Sequence, residues 1–119
     1  MNFDTILTSF IQSAKTTQEN SYSPGFIKSL QDAGLPRPSF EFAFWPGRNF
    51  RIDIAFPEYK IAGEREGRGH NNYKRYHRDI EKYNQLAIEG WRLIRWLPSW
   101  ETNGKALALL TKALTNAGW

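Results

Sequence analysis

The 119-residue sequence predicts an α/β domain, a mixed four-stranded sheet flanked by helices in the order α-α-β-β-β-α-β-α. Three observations carry that expectation. Between Phe40 and Glu66 three runs alternate apolar with polar residues, the period of a strand with one buried face. Between Asn72 and Gly90, apolar residues recur three and four apart, the period of a helix. Trp91 to Leu97 is apolar-rich, short and closed by Pro98, which makes it a fourth strand after that helix. The length suits one domain that buries roughly two-thirds of its unfolded surface.

Taken in order, Phe3, Ile6, Leu7, Phe10 and Ile11 give a first amphipathic helix over Phe3 to Ala14, followed by a polar stretch to Asn20. Ser23-Pro24 has the form of an N-cap with proline at the first helical position. Gly34 stops that second helix after Phe26, Ile27 and Leu30, and Leu35-Pro36-Arg37-Pro38 breaks the pattern. Phe40, Phe42 and Phe44 then alternate with Glu41 and Ala43, and Pro46-Gly47 turns the chain. A second run alternates Phe50, Ile52, Ile54 and Phe56 with Arg51, Asp53 and Ala55, and Pro57-Glu58 turns it into Tyr59 to Glu66. The long helix follows Gly67-Arg68-Gly69, carries Tyr73, Tyr76, His77, Ile80, Tyr83, Leu86 and Ala87 on one stripe, and ends at Gly90. On that stripe His77 reads as a packing residue. Thr102 or Asn103 caps a last helix through Ala106, Leu107, Leu109, Leu110, Ala113 and Leu114.

Composition narrows the chemistry. With no cysteine, disulfides and thiolate metal sites are excluded, and any metal must sit on oxygen or imidazole ligands, which suits a hard cation such as Mg²⁺. A net charge of +4 favours polyanionic partners without proving one. The start Met1-Asn2-Phe3-Asp4 has no basic leader region and no apolar run is long enough to span a membrane, so a soluble cytoplasmic protein is expected.

The feature richest in chemistry is the acidic hairpin. A two-residue turn at Pro57-Glu58 would pair Phe56 with Tyr59 and set Asp53 opposite Ala62, with Glu64 its diagonal neighbour and Glu66 one pleat further on the same face. A four-residue turn keeps that parity and a three-residue turn breaks it. Three carboxylates on one face repel unless cations, protons or a basic partner intervene, and a divalent cation is the economical answer. Such a cation activates water and offsets charge on a phosphodiester. The competing account places Glu64 and Glu66 on the solvated face of an edge strand, paired with Arg51, Arg65 or Lys60. Asp53 weighs against it, because aspartate between Ile52 and Ile54 is disfavoured in a strand without a reason.

The run Arg51-Ile52-Asp53-Ile54-Ala55-Phe56-Pro57-Glu58-Tyr59-Lys60-Ile61-Ala62, then Glu64-Arg65-Glu66-Gly67, resembles the active-site hairpin of the PD-(D/E)XK nuclease superfamily. So does its continuation from Arg78-Asp79 through Lys82-Tyr83-Asn84 to Gly90-Trp91-Arg92-Leu93-Ile94-Arg95, most of all in the branch of very-short-patch-repair endonucleases and small phage or bacterial endonuclease-like proteins. The resemblance covers about residues 38 to 97. It implies a restriction-endonuclease-like core over 38–97, preceded by N-terminal helices over 1–37 and followed by a C-terminal helix over 98–119. It also implies a DNA endonuclease dependent on Mg²⁺ or Mn²⁺, in the cytoplasm of a bacterium or phage-infected cell. Asp53 matches the metal-binding aspartate, Glu64 the (D/E), and the Arg65 backbone carbonyl completes the metal set. Glu66 stands where lysine is usual, and Lys82 is the candidate replacement. Two further departures are Gly63 and Arg65 around the first acid, where apolar residues are expected, and Ser23-Pro24 where relatives carry a glutamate that Glu19 could supply.

Arg51, Arg68, Lys74, Arg75 and Arg78 flank the acidic strand and are the candidate DNA-backbone contacts; a solvated helix face is the alternative for the helical ones. His70, in the glycine loop, is a candidate general acid or base beside Asp53, Glu64, Glu66 and Lys82. Trp91 and Trp96 belong to the core. Trp45 reads as turn packing, with base stacking as the alternative. A homodimer would supply two sites for two strands. The rival function is a nuclease-fold module that has lost catalysis and binds DNA or a protein, such as a phage-borne inhibitor.

Overall fold

The computed structural model describes residues 21–67 and 72–119. The helix expected over Phe3 to Ala14, Glu19, Arg68 and His70 lie outside the described residues. Helix α1 (Phe26–Asp32) precedes strands β1 (Ser39–Trp45), β2 (Phe50–Phe56) and β3 (Ile61–Arg65). Helix α2 (Tyr73–Ile88), strand β4 (Arg92–Trp96) and helix α3 (Lys105–Asn116) follow. The strands lie in the order β1-β2-β3-β4. Short turns make β1/β2 and β2/β3 antiparallel, while α2 carries the chain back so that β4 runs parallel to β3. The result is a mixed four-stranded α/β sheet.

Alternation along the strands sends side chains to two layers. On one face Ile54, Phe56, Ile61 and Trp96 meet Phe26, Ile27 and Leu30 of α1 and Ala106, Leu110, Ala113 and Leu114 of α3. On the other, Ala55 and Ala62 meet Leu86 of α2, with Tyr83, Trp91 and Leu93 around them. The small alanines let α2 lie close to the sheet. Gly63 serves the opposite face: a Cβ there would stand 2.9 Å from the Trp96 ring and 3.0 Å from the Ile54 carbonyl oxygen. Glycine after Ala62 is thus the room that Trp96 occupies.

Several expectations shift. Helix α1 begins at Phe26, with Gly25 (φ 82°) in the cap position, not at Pro24. The Ser23 amide is drawn instead to a Glu101 carboxylate oxygen at 2.8 Å, and the Ser23 carbonyl accepts from Phe26 N–H, closing a turn before the helix. Gly34 (φ 77°) ends α1 as expected. Between β2 and β3 a 3-10 turn over Pro57–Tyr59 and Lys60 in the left-handed region (φ 52°) make a four-residue connection, so Phe56 pairs with Ile61 and Ala55 with Ala62. Parity survives, but the register carries Asp53 to the level of Glu64 rather than Ala62.

Helix α2 is capped by the Asn72 side chain, which accepts from Arg75 N–H, and is followed by Gly90 at φ 83°. Its stripe is buried only at Leu86, while Tyr73, Tyr76 and Ile80 are exposed. His77 is corrected likewise: it is exposed, and its Nδ1 lies 3.0 Å from Glu81 on the same helix. Periodicity found the stripe, but the sheet extends under its second half alone. Asn103 accepts from Lys105 N–H at the start of α3, while Thr102 bonds back to Ser99. Trp96 is buried, Trp91 packs on Phe42 and Phe44, and Trp45 stacks on Phe50 at 6.4 Å beside Gly47.

Candidate active site

Where β2 and β3 part, their carboxylates meet. Backbone pairing between the two strands runs from Phe56/Ile61 to Ile54/Gly63. The next amide on that edge of β3, Arg65 N–H, donates to Asp53 Oδ2 at 3.0 Å. The aspartate side chain therefore continues a ladder that its own backbone has left. In a strand the carbonyl of a residue points to the same edge as its N–H, so the Arg65 carbonyl shares the edge at which Asp53 stands.

Glu64 projects on the same sheet face as Asp53 and is 4% exposed. Its pKa is pushed up to about 8, first by burial and then by the hydrogen bond and charge of Asp53, against the opposing pull of Lys82. Lys82 reaches it from α2: its ammonium contacts Glu64 Oε1, and its side chain is 13% exposed. Lys82, expected among the catalytic residues, thus stands at the acid of β3.

Glu66, on the same side one pleat on, is held differently. Its Oε1 accepts from Arg95 Nε at 2.5 Å and from the Tyr83 hydroxyl at 3.2 Å. That hydrogen bond raises the Arg95 pKa, and burial with the nearby Glu66 carboxylate raises that of Tyr83. Asp53, Glu64, Glu66, Tyr76, Lys82 and Tyr83 line one cleft, with Arg75 and Asp79 at the helix side. The structure thus brings together four of the expected catalytic residues; the fifth, His70, is among those not described.

Arg65 turns to the opposite face, which resolves why a charged residue can sit on this strand. Its Nε lies 3.0 Å from Glu101, and its Nη1 donates to the Ser21 carbonyl at 2.9 Å. Glu101, 7% exposed, also accepts from Trp96 Nε1 and the Ser23 amide, both at 2.8 Å. One buried carboxylate therefore joins the segment before α1, β3, β4 and the turn before α3.

Of the expected DNA contacts, Lys74 and Arg75 are exposed on the first turns of α2. Arg78 is tied to the Asn49 carbonyl at 2.6 Å and lies over the Phe50 ring, and Arg51 donates to the Glu41 carbonyl at 3.3 Å. Two residues near the acids were not anticipated. The β1/β2 register, Phe40 with Ile54 and Phe42 with Ile52, sets Glu41 level with Asp53, at a positive φ of 48°. Its pKa is raised, by burial first and by Asp53 next. Tyr22 packs on Phe26 and Phe40, and burial followed by the charge of Asp53 raises its pKa strongly. The β1/β2 register could have flagged Glu41; no local signal marks Tyr22.

Among the described residues no group of three or more His, Cys, Asp or Glu side chains converges as a metal cage, and no helix is long and apolar enough to cross a membrane. No protein-family model matches the chain, and no match to it was found among curated proteins or solved structures.

Proposed function

We propose that the protein is a metal-dependent DNA endonuclease with a restriction-endonuclease-like core, its centre formed by Asp53, Glu64 and Lys82. The observation that carries this reading is the meeting of Asp53 with a buried Glu64 and the Lys82 ammonium in an open cleft. Burying Glu64 beside the Asp53 carboxylate is unfavourable on electrostatic grounds, and Glu64 holds its proton to about 8 as a result. Positive charge relieves that cost, and a Mg²⁺ or Mn²⁺ ion suits two carboxylates because it retains waters and takes substrate phosphates. Asp53, Glu64 and the Arg65 carbonyl would hold it. Bound there, the ion would supply an activated water and charge stabilisation at a phosphodiester.

The chain's own groups supply the rest. The Arg65 N–H fixes one Asp53 oxygen, which orients the carboxylate across the gap between β2 and β3. The Lys82 ammonium is placed to offset charge gathering on the phosphoryl oxygens as the P–O bond to water forms and the bond to the leaving oxygen breaks. Glu66 accepts from Arg95 and Tyr83, so its role is to hold Tyr83 and β4 in place. Lys74 and Arg75 would contact the DNA backbone without reading sequence.

Incubating the protein with supercoiled, mismatched, branched and single-stranded DNA in Mg²⁺ or Mn²⁺ tests the reading. Cleavage that disappears in Asp53→Ala supports it. No cleavage of any substrate by the wild type would instead favour a non-catalytic DNA-binding or protein-interaction module, a second reading motivated by the direct Lys82–Glu64 pairing and the engagement of Glu66.

A further inference from the structure

We propose that the first two turns of α2 form a stacking platform for the bases of single-stranded DNA, which feeds an unpaired strand to the acidic cleft. The proposal rests on the nuclease reading for the cleft's role, and it adds the class of substrate.

Tyr73 is 76% exposed and Tyr76 54%, and neither hydroxyl nor ring is taken into the core. Three residues apart on one helix, the two side chains leave the same ridge, and the Tyr73 ring packs on His77 at 6.1 Å. Tyr76 lines the cleft with Asp53 and Glu64, whereas Tyr73 lines an adjoining groove with Arg48, Lys74 and Arg78. No described residue lines both depressions, and the ridge of α2 that carries the two rings lies between them. Ile80 extends the apolar surface by one more turn at 44% exposure. Uncovered aromatic surface of this kind is a liability in water unless something lies on it.

Charge and shape together select the occupant. Lys74 and Arg75 stand exposed beside the rings and favour a polyanion. A duplex would satisfy these cations, but its base faces are already covered by stacking, so exposed phenol rings would gain little from it. An unpaired strand presents both parts at once: phosphates for the cations and free π-faces for the tyrosines. Arg48 and Arg78 lie over Phe50 in the groove; Arg48 pairs there with Glu81 at 2.7 Å, so Lys74 and Arg78 carry the positive charge that the groove offers.

The test uses the full chain carrying Asp53→Asn, so that DNA survives the measurement. Fluorescence anisotropy at fixed moderate salt compares an oligothymidine of about 20 nucleotides, longer than the roughly 4–16 nucleotides of a compact single-strand site, with a mixed-sequence duplex of equal length. Tighter binding of the oligothymidine is expected. Adding Tyr73→Ala or Tyr76→Ala should weaken it about tenfold each, or about 1.4 kcal/mol. The Phe variants should bind like the parent, because stacking needs the ring and not the hydroxyl. Both tyrosines are exposed, and unchanged thermal unfolding of the Ala variants checks that folding is intact. Tighter binding of the duplex, or Ala variants that bind oligothymidine as the parent does, overturns the proposal. Tyrosine-dependent binding together with a wild type that cuts nothing would sustain the platform and defeat the nuclease reading; a wild type that cuts duplex while the Ala variants bind normally would do the reverse.

Discussion

Glu64 is the side chain on which the electrostatics of the cleft turn. In the metal-free folded protein burial, and then Asp53, push its carboxyl up from 4.5 to about 8. The folded state thus binds the proton more tightly than the unfolded one. Below 4.5 that preference is fully present, and it is lost as the pH rises through about 8. In EDTA, urea unfolding of the wild type should show stability declining across this interval, and Glu64→Gln should flatten the decline. An equal slope in the variant would show that Glu64 is not the group responsible. Lys82 is expected to matter for rate: Lys82→Met should lower metal-dependent cleavage by about 10²-fold or more, the scale of removing one preorganised charge-stabilising group. Single-turnover kinetics with wild type and variant measure it. Asp53 and Glu64 were legible from strand alternation on condition of an even turn, and the four-residue connection between Phe56 and Ile61 meets that condition. Lys82 at Glu64 was legible only through the family resemblance. Glu41 was passed over because its neighbours Phe40 and Phe42 make it look like the solvent half of an ordinary alternation.

Strand β3 is where packing and chemistry share a few residues. Gly63 leaves space for Trp96, Glu64 faces the cleft, and Arg65 reaches through the other layer to Glu101. Gly63→Ala should cost about 1–3 kcal/mol, because the Trp96 ring and the Ile54 carbonyl cannot both retreat from a new Cβ. Glu101→Ala leaves Arg65, Trp96 Nε1 and the Ser23 amide without their acceptor. Breaking a buried pair costs about 3–5 kcal/mol, and the partial exposure of Arg65 reduces the expected loss to about 2–3 kcal/mol. Denaturant melts of both variants check these values, and a loss below about 0.5 kcal/mol for Glu101→Ala would remove Glu101 from this role. The strands and the two later helices could be read from periodicity and caps. What escaped was relational: the four-residue connection that sets the register, the Arg65–Glu101 pair between distant segments, and the bare stripe of α2. A stripe marks one face of a helix and says nothing of how far its neighbours extend.

For the molecule as a whole, the sheet presents its acids at the edge where β2 and β3 separate, and α2 sets Lys82 and Arg75 beside that edge, with Lys74 and Arg78 on the next groove. If DNA lies along α2, its affinity falls with salt, and the double variant Lys74→Ala/Arg75→Ala should weaken binding to all sequences alike and lower the salt slope by about two. An unchanged slope would place the DNA elsewhere. The cation is the more direct issue, because Asp53 and Glu64 are proposed to hold it together. The decisive measurement is calorimetric titration of Mn²⁺ into the wild type and into Asp53→Asn at matched pH. One saturable site in the wild type that is lost in the variant is the predicted result; a wild type that takes up no cation, or a variant that binds it equally well, would contradict the assignment of this cleft as a metal-dependent centre.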